Sequence, residues 1–186
     1  MTEHHPTTDT ASGTDTRWFV LRFLYRDQPA VRARFREERI ETFSPMRPVV
    51  RVRNGRKITV QEPVIWDLLF VRSTREVLDP IVASYDNFQY RYKTGGGYCE
   101  PLVVPDRQMN DFVRAVEASE HPLYFTPQEL NLEKGVRVRL LGGVMDGYEG
   151  RLLKVKGGRA RRLLVEIPNT LIAAVEVAPD LIQLLD

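Results

Sequence analysis

From Gly135 to Leu184 apolar residues return at every second position, in runs of two or three, with glycines or charges between the runs. Val136, Val138 and Leu140 form the first run. Leu153 with Val155, then Leu163, Val165 and Ile167, then Val175 with Val177, then Ile182 with Leu184 follow. A period of two is the signature of strands with one buried face. Short strands at this spacing predict a small all-β barrel over residues 132–186. A core of that size is marginal alone but feasible. Just before it, Ala118 to Leu130 mixes Ser, His, Pro and Thr with no period, which predicts a linker over 118–131.

The first half has a different texture. Trp18-Phe19-Val20-Leu21-Arg22-Phe23-Leu24 is rich in aromatic and β-branched residues and predicts a buried strand. Pro29 suits a first helical turn. Val31 and Phe35 lie four apart, and Arg32, Arg34, Arg36 and Arg39 take other positions, so a basic amphipathic helix ending near Ile40 is expected. Asn54-Gly55 joins two alternating runs between Val49 and Val60, the composition of a type I′ hairpin turn. Arg51, Arg53, Arg56 and Lys57 make its tip strongly basic.

Ile65 to Val71 reads as a central strand. Ser73 with Glu76 forms a capping-box pattern opening a short helix that Pro80 should shorten or kink. Phe88, Tyr90 and Tyr92 alternate as a strand, and Gly95-Gly96-Gly97 is a loop tip. Pro105-Asp106 opens a helix with Met109, Phe112, Val113 and Val116 on one face. An α+β domain over residues 17–117 is therefore expected, behind a polar, disordered tail at residues 1–16.

Composition narrows the function. The 186 residues are 42% hydrophobic and 28% charged, as in an ordinary soluble chain. No apolar run approaches a membrane span, and the N-terminus has no secretory core. The single cysteine, Cys99, allows no intrachain disulfide, and a cytoplasmic location is expected. The net charge of +2 hides an asymmetry: Arg17 to Gln61 holds 12 basic against 4 acidic residues, and nothing basic follows Arg162. Such a basic half points to a polyanion, usually nucleic acid, although a solvated face explains the same charge equally well.

The recognisable motif is Gly135-Val136-Arg137-Val138 followed by Gly143-Val144-Met145-Asp146-Gly147-Tyr148-Glu149-Gly150. Its glycines serve tight turns and, at Gly150, a close backbone crossing. This resembles the KOW motif of transcription elongation factors and some ribosomal proteins. Trp18-Phe19-Val20-Leu21 resembles the opening strand of the NusG N-terminal domain. Ile40-Glu41-Thr42-Phe43-Ser44-Pro45 and Glu62 to Val71 resemble its later segments, although Trp66-Asp67 stands where the family usually has Pro-Gly or Pro-Asn. The resemblance runs from about Arg17 to Asp186. Tyr90-Arg91-Tyr92 and Val104 to Met109 are similar to the UpxY branch, and the basic hairpin is similar to that of RfaH-like paralogues.

The resemblance implies a NusG-type α/β sandwich, an antiparallel sheet flanked by helices, followed by an SH3-like KOW barrel. It implies a monomeric factor that binds the clamp helices of RNA polymerase and suppresses pausing and termination on a long surface-polysaccharide-type operon. Ile65, Trp66, Leu68 and Phe70 would form the polymerase patch. Arg26, Arg32 and Arg34 would meet non-template DNA or nascent RNA. Val144, Met145, Tyr148, Ile167 and Pro168 would hold a ribosomal protein or a termination factor. No cofactor or metal is implied, and the three histidines have no ligand spacing. Two other readings stay open: a KOW-bearing, ribosome-associated RNA-binding protein, and an enzyme using Cys99. The second lacks an adjacent base.

Overall fold

The computed structural model describes residues 15–24, 29–93, 95, 99–130, 135–154, 161–176 and 181–185. Residues 1–14 of the expected disordered tail, Arg26 and most of the Gly95–Gly97 tip lie outside the described residues. The chain divides into two compact units, residues 1–44 with 65–103, and residues 45–64 with 104–186.

In the first unit, strand β1 (Arg17–Phe23) is followed by helix α1 (Pro29–Glu37), β2 (Glu41–Phe43), β5 (Leu68–Ser73), α2 (Arg75–Ala83) and β6 (Phe88–Tyr90). The sheet order is β2-β5-β1-β6, and all three pairings are antiparallel. Alternation along β1 and β5 sends Phe19, Leu21, Phe23, Leu69 and Val71 to one face. There they pack with Val31 and Phe35 of α1, Leu78 and Ile81 of α2, and Phe88. Each such fully buried side chain contributes about 1.5–3 kcal/mol of transfer free energy. The Phe23 and Phe88 rings lie 4.9 Å apart, and Phe35 and Phe88 5.9 Å apart, a spacing that aromatic pairs favour.

Helix α1 starts at Pro29 as expected but stops at Glu37, three residues before Ile40. The Ile40 N–H donates to the Phe35 carbonyl at 2.8 Å and the Arg39 N–H to the Arg36 carbonyl at 3.1 Å. These two bonds make a Schellman cap, with Arg39 in the left-handed region at φ 55°. Helix α2 is capped by Thr74, not Ser73: its hydroxyl accepts from the Val77 N–H at 3.4 Å. Pro80 sits inside α2 without ending it. Tyr92 makes only an isolated bridge to Pro101, so the strand expected there is shorter.

The second unit holds the hairpin β3 (Met46–Arg53) and β4 (Arg56–Pro63), helix α3 (Asp106–Glu117), and strands β8 (Leu123–Phe125), β9 (Val136–Leu141), β10 (Glu149–Lys154), β11 (Arg161–Ile167), β12 (Leu171–Val175) and β13 (Leu181–Leu184). The two-residue strand β7 (Val103–Val104) precedes α3. The hairpin is longer at both ends than the alternation indicated, and Asn54 at φ 50° with Gly55 at φ 73° forms its turn.

The last six strands form one antiparallel sheet in the order β13-β9-β10-β11-β12-β8. Strand β8 falls inside the expected linker. Its Leu123, Tyr124 and Phe125 pair with Ala174, Ala173 and Ile172. Helix α3 packs on β11 and β12, so it lies in the same compact unit as this small β domain rather than ending before it. Met109, Phe112 and Ala115 are its buried residues, while Val113 and Val116 are only half-buried. All five residues of β12 are buried, which fits a strand covered on both faces. Gly150 is a close crossing: an added Cβ would lie 2.6 Å from the Tyr148 ring and 3.2 Å from the Leu164 carbonyl oxygen.

Candidate functional site

The segment expected to carry the polymerase patch is not one strand. Ile65, Trp66 and Asp67 form a turn that ends with the Leu68 N–H donating to the Ile65 carbonyl at 3.2 Å. Only Leu68 and Phe70 lie on β5. A strand with one free face would expose every second residue. Instead Leu68, Leu69, Phe70 and Val71 are all at 0% exposure. Ile65 is half-buried, and Trp66 is 50% exposed. Trp66 is therefore the open member of the four. Asp67 beside it faces the Arg91 guanidinium at 3.9 Å.

The arginines of α1 are engaged within the protein. The Arg34 Nε donates to Glu38 Oε1 at 2.8 Å, and a terminal nitrogen donates to the Ser84 hydroxyl at 3.2 Å. The hydrogen bond to Glu38 raises the Arg34 pKa above its ordinary value. The Arg32 guanidinium lies 5.5 Å from the centroid of the Phe23 ring, within cation–π range.

The five partner-binding candidates of the β domain separate into three groups. Val144 is 60% exposed and Pro168 is exposed. Met145 at 4% and Ile167 at 0% exposure are core, which corrects their expected place among the residues that hold a partner. The reason is geometric: Ile167 lies on β11 in alternation with Leu163 and Val165, so it shares their buried face. Tyr148 is half-buried, and its phenol is pushed up by burial first and by the Asp111 and Glu166 charges after it.

Tyr148 and Pro168 come together on a cleft of about 640 Å³ between α3 and the sheet, lined also by Arg107, Asp111, Arg151 and Glu166. Burial raises the Glu166 carboxyl. The Arg114 guanidinium donates to the Val144 carbonyl, tying the Val144 loop to α3. No local pattern marks the α3 side of this cleft, because Arg107 and Asp111 lie on the polar side of an amphipathic helix.

The hairpin tip holds Arg51, Arg53, Arg56 and Lys57, all exposed. Val50 at 63% and Val52 at 70% exposure alternate there with Arg51 and Arg53. Cys99 is exposed, and among the described residues no group of His, Cys, Asp and Glu is arranged to hold a metal. No helix among them is long and apolar enough to cross a membrane.

A family profile described as "Transcription termination factor nusG" matches residues 16–113, more than half of the chain. No curated protein sequence matches the chain significantly. Among solved structures, one described as "Domain interaction in Thermotoga maritima NusG" is similar, with a TM-score of 0.47 and 17% identity over 88% of this chain and 94% of that chain. The profile spans β1 through most of α3, and on that match this chain belongs to the NusG family of transcription factors.

Proposed function

We propose that this chain is a transcription elongation and antitermination factor that binds RNA polymerase and suppresses pausing and termination. The observation that carries the reading is the family match over residues 16–113. In this reading the clamp helices of polymerase meet the turn at Ile65 and Trp66 first, because Leu68 and Phe70 are buried here. The C-terminal unit acts as a KOW-type module for a second factor, a ribosomal protein or a termination factor. The crowded crossing at Gly150 supports that reading of its glycine motif. Val144 and Pro168 are its accessible apolar contacts. The UpxY-like segments favour a specialised paralogue serving a long surface-polysaccharide-type operon.

The test is elongation by purified polymerase on a long template with defined pauses and a terminator. Added protein should shorten the pauses and raise read-through. Unchanged pausing and read-through would overturn the proposal. Trp66→Ala should weaken capture of the protein by polymerase several-fold while leaving the fold intact, since half of the indole is in solvent. Undiminished capture would remove the turn from the interface.

A further inference from the structure

We propose that the β3–β4 ribbon is a second docking element, for double-stranded DNA, with Arg53, Arg56 and Lys57 at its tip meeting the phosphates. The ribbon pairs only with itself among the described strands. Eight residues per strand make it roughly 27 Å long at about 3.4 Å per residue. An isolated two-stranded ribbon is marginal in water, and this one holds no fully buried side chain along either strand.

The charge is placed where a ligand could reach it. Arg53 and Arg56 are directly opposed across the turn, and Lys57 is opposed to Val52. Like charges in direct cross-strand register disfavour the hairpin, and a bound anion would relieve that repulsion. Glu62 is the single acid of the two strands, and it is held at the other end by Arg51, at 2.7 and 2.9 Å. Arg53, Arg56 and Lys57 make no ion pair among the described residues.

The shape selects among nucleic acids. The major groove of B-form DNA admits a two-stranded β-ribbon, whereas the A-form groove of duplex RNA is too narrow for side-chain reading. The pleat puts Arg47, Arg51 and Arg53 on one face and Pro48, Val50 and Val52 on the other. Arginine forks suit phosphates and guanine edges, and the exposed valines can meet thymine methyl groups. The ribbon's cations belong to a different compact unit from the α1 arginines, and the binding requires no polymerase.

The test is fluorescence anisotropy of the full chain with a labelled 20-base-pair DNA duplex across a salt series. The wild-type chain should bind with a steep dependence on salt. The Arg53→Gln, Arg56→Gln, Lys57→Gln variant should bind at least tenfold more weakly. Its log K against log salt slope should be shallower by up to about 2.7, at about 0.9 for each phosphate that is no longer neutralised. The Arg53→Lys, Arg56→Lys variant should keep the slope, because the charge is kept. Equal affinity and slope for wild type and the glutamine variant would overturn the proposal, and would leave the cations as guards against edge-to-edge strand pairing. Equal or tighter binding of a duplex RNA or a single strand of the same length would overturn it as well.

Discussion

Two basic elements, α1 and the β3–β4 ribbon, have similar arginine content and opposite structural roles. In α1, Val31 and Phe35 anchor the helix in the core, and Arg34 is bonded to Glu38 and Ser84. Arg32 lies over the Phe23 ring. In the ribbon, no side chain along the strands is fully buried, and the tip cations face each other with no carboxylate between them. The lesson is that a count of basic residues does not locate a polyanion site. What separates the two is where acids and apolar anchors fall relative to each arginine. A helix offers a partner four residues away, as Glu38 does for Arg34. A strand offers only the residue across the ladder, and at the tip that residue is another cation.

The largest expected difference is in stability. Phe35→Ala should cost about 3–5 kcal/mol, because it empties a fully buried aromatic site shared with Phe88. Val52→Ala on the ribbon should stay within about 0.5 kcal/mol, since that side chain is 70% exposed. Urea denaturation of both variants measures the contrast. Similar midpoints for the two would break it and would show that the ribbon is packed in solution.

A smaller effect separates Gly55, one of two left-handed residues in the ribbon's turn, from Arg39, which caps α1. Gly55 occupies φ 73° at no steric penalty, whereas Arg39 holds φ 55° with a Cβ. Left-handed backbone is disfavoured by about 1–2 kcal/mol for an L-residue with a Cβ. Gly55→Ala should therefore destabilise the hairpin turn by about 1 kcal/mol. Arg39→Gly should stabilise α1 by up to about 1 kcal/mol, less the extra entropy of glycine in the unfolded chain. Hydrogen exchange at the amides of β3–β4 and of α1 reads each change locally. Faster exchange in α1 for Arg39→Gly would show that the arginine side chain contributes more than its strain removes.

These contrasts also show which parts of the fold are legible in the residues themselves. The strand at Trp18, the start of α1 and the Asn54-Gly55 turn follow from neighbours a few positions apart, and all three stand where the pattern places them. Strand β8 does not. Leu123-Tyr124-Phe125 becomes a strand only because β12, nearly fifty residues later, offers Ile172 to Ala174 as an edge. The turn at Ile65 to Asp67 was hidden because its apolar residues are continuous with those of β5. Burial was the least legible property. Met145 and Ile167 look like loop residues and are core, while Val50 and Val52 look like half-buried strand residues and are open. The α3 side of the cleft depends on how a helix packs on a distant sheet, which no local period records.

The smallest effect, and the sharpest test of the ribbon, concerns Glu62. The hydrogen bonds from Arg51 hold its carboxyl below the ordinary carboxylate range, burial opposes this, and the Arg51 and Arg47 charges add to the lowering. A carboxylate lowered in the folded state stabilises the fold fully above its unfolded value of about 4.3, and that contribution is lost as pH falls through the folded value. The pair is exposed, so the effect on global stability is small. The titration itself is the cleaner reading. In the Arg51→Gln variant, the Glu62 carboxyl followed by NMR should titrate at a higher pH than in wild type. An unchanged titration would break the pair as drawn. Glu62→Gln tests the same bond from the ligand's side. Releasing Arg51 frees one more cation on the ribbon. Binding to the DNA duplex should then tighten several-fold, and the salt slope should steepen by up to about 0.9. A slope that stays at the wild-type value would confine the DNA contact to Arg53, Arg56 and Lys57.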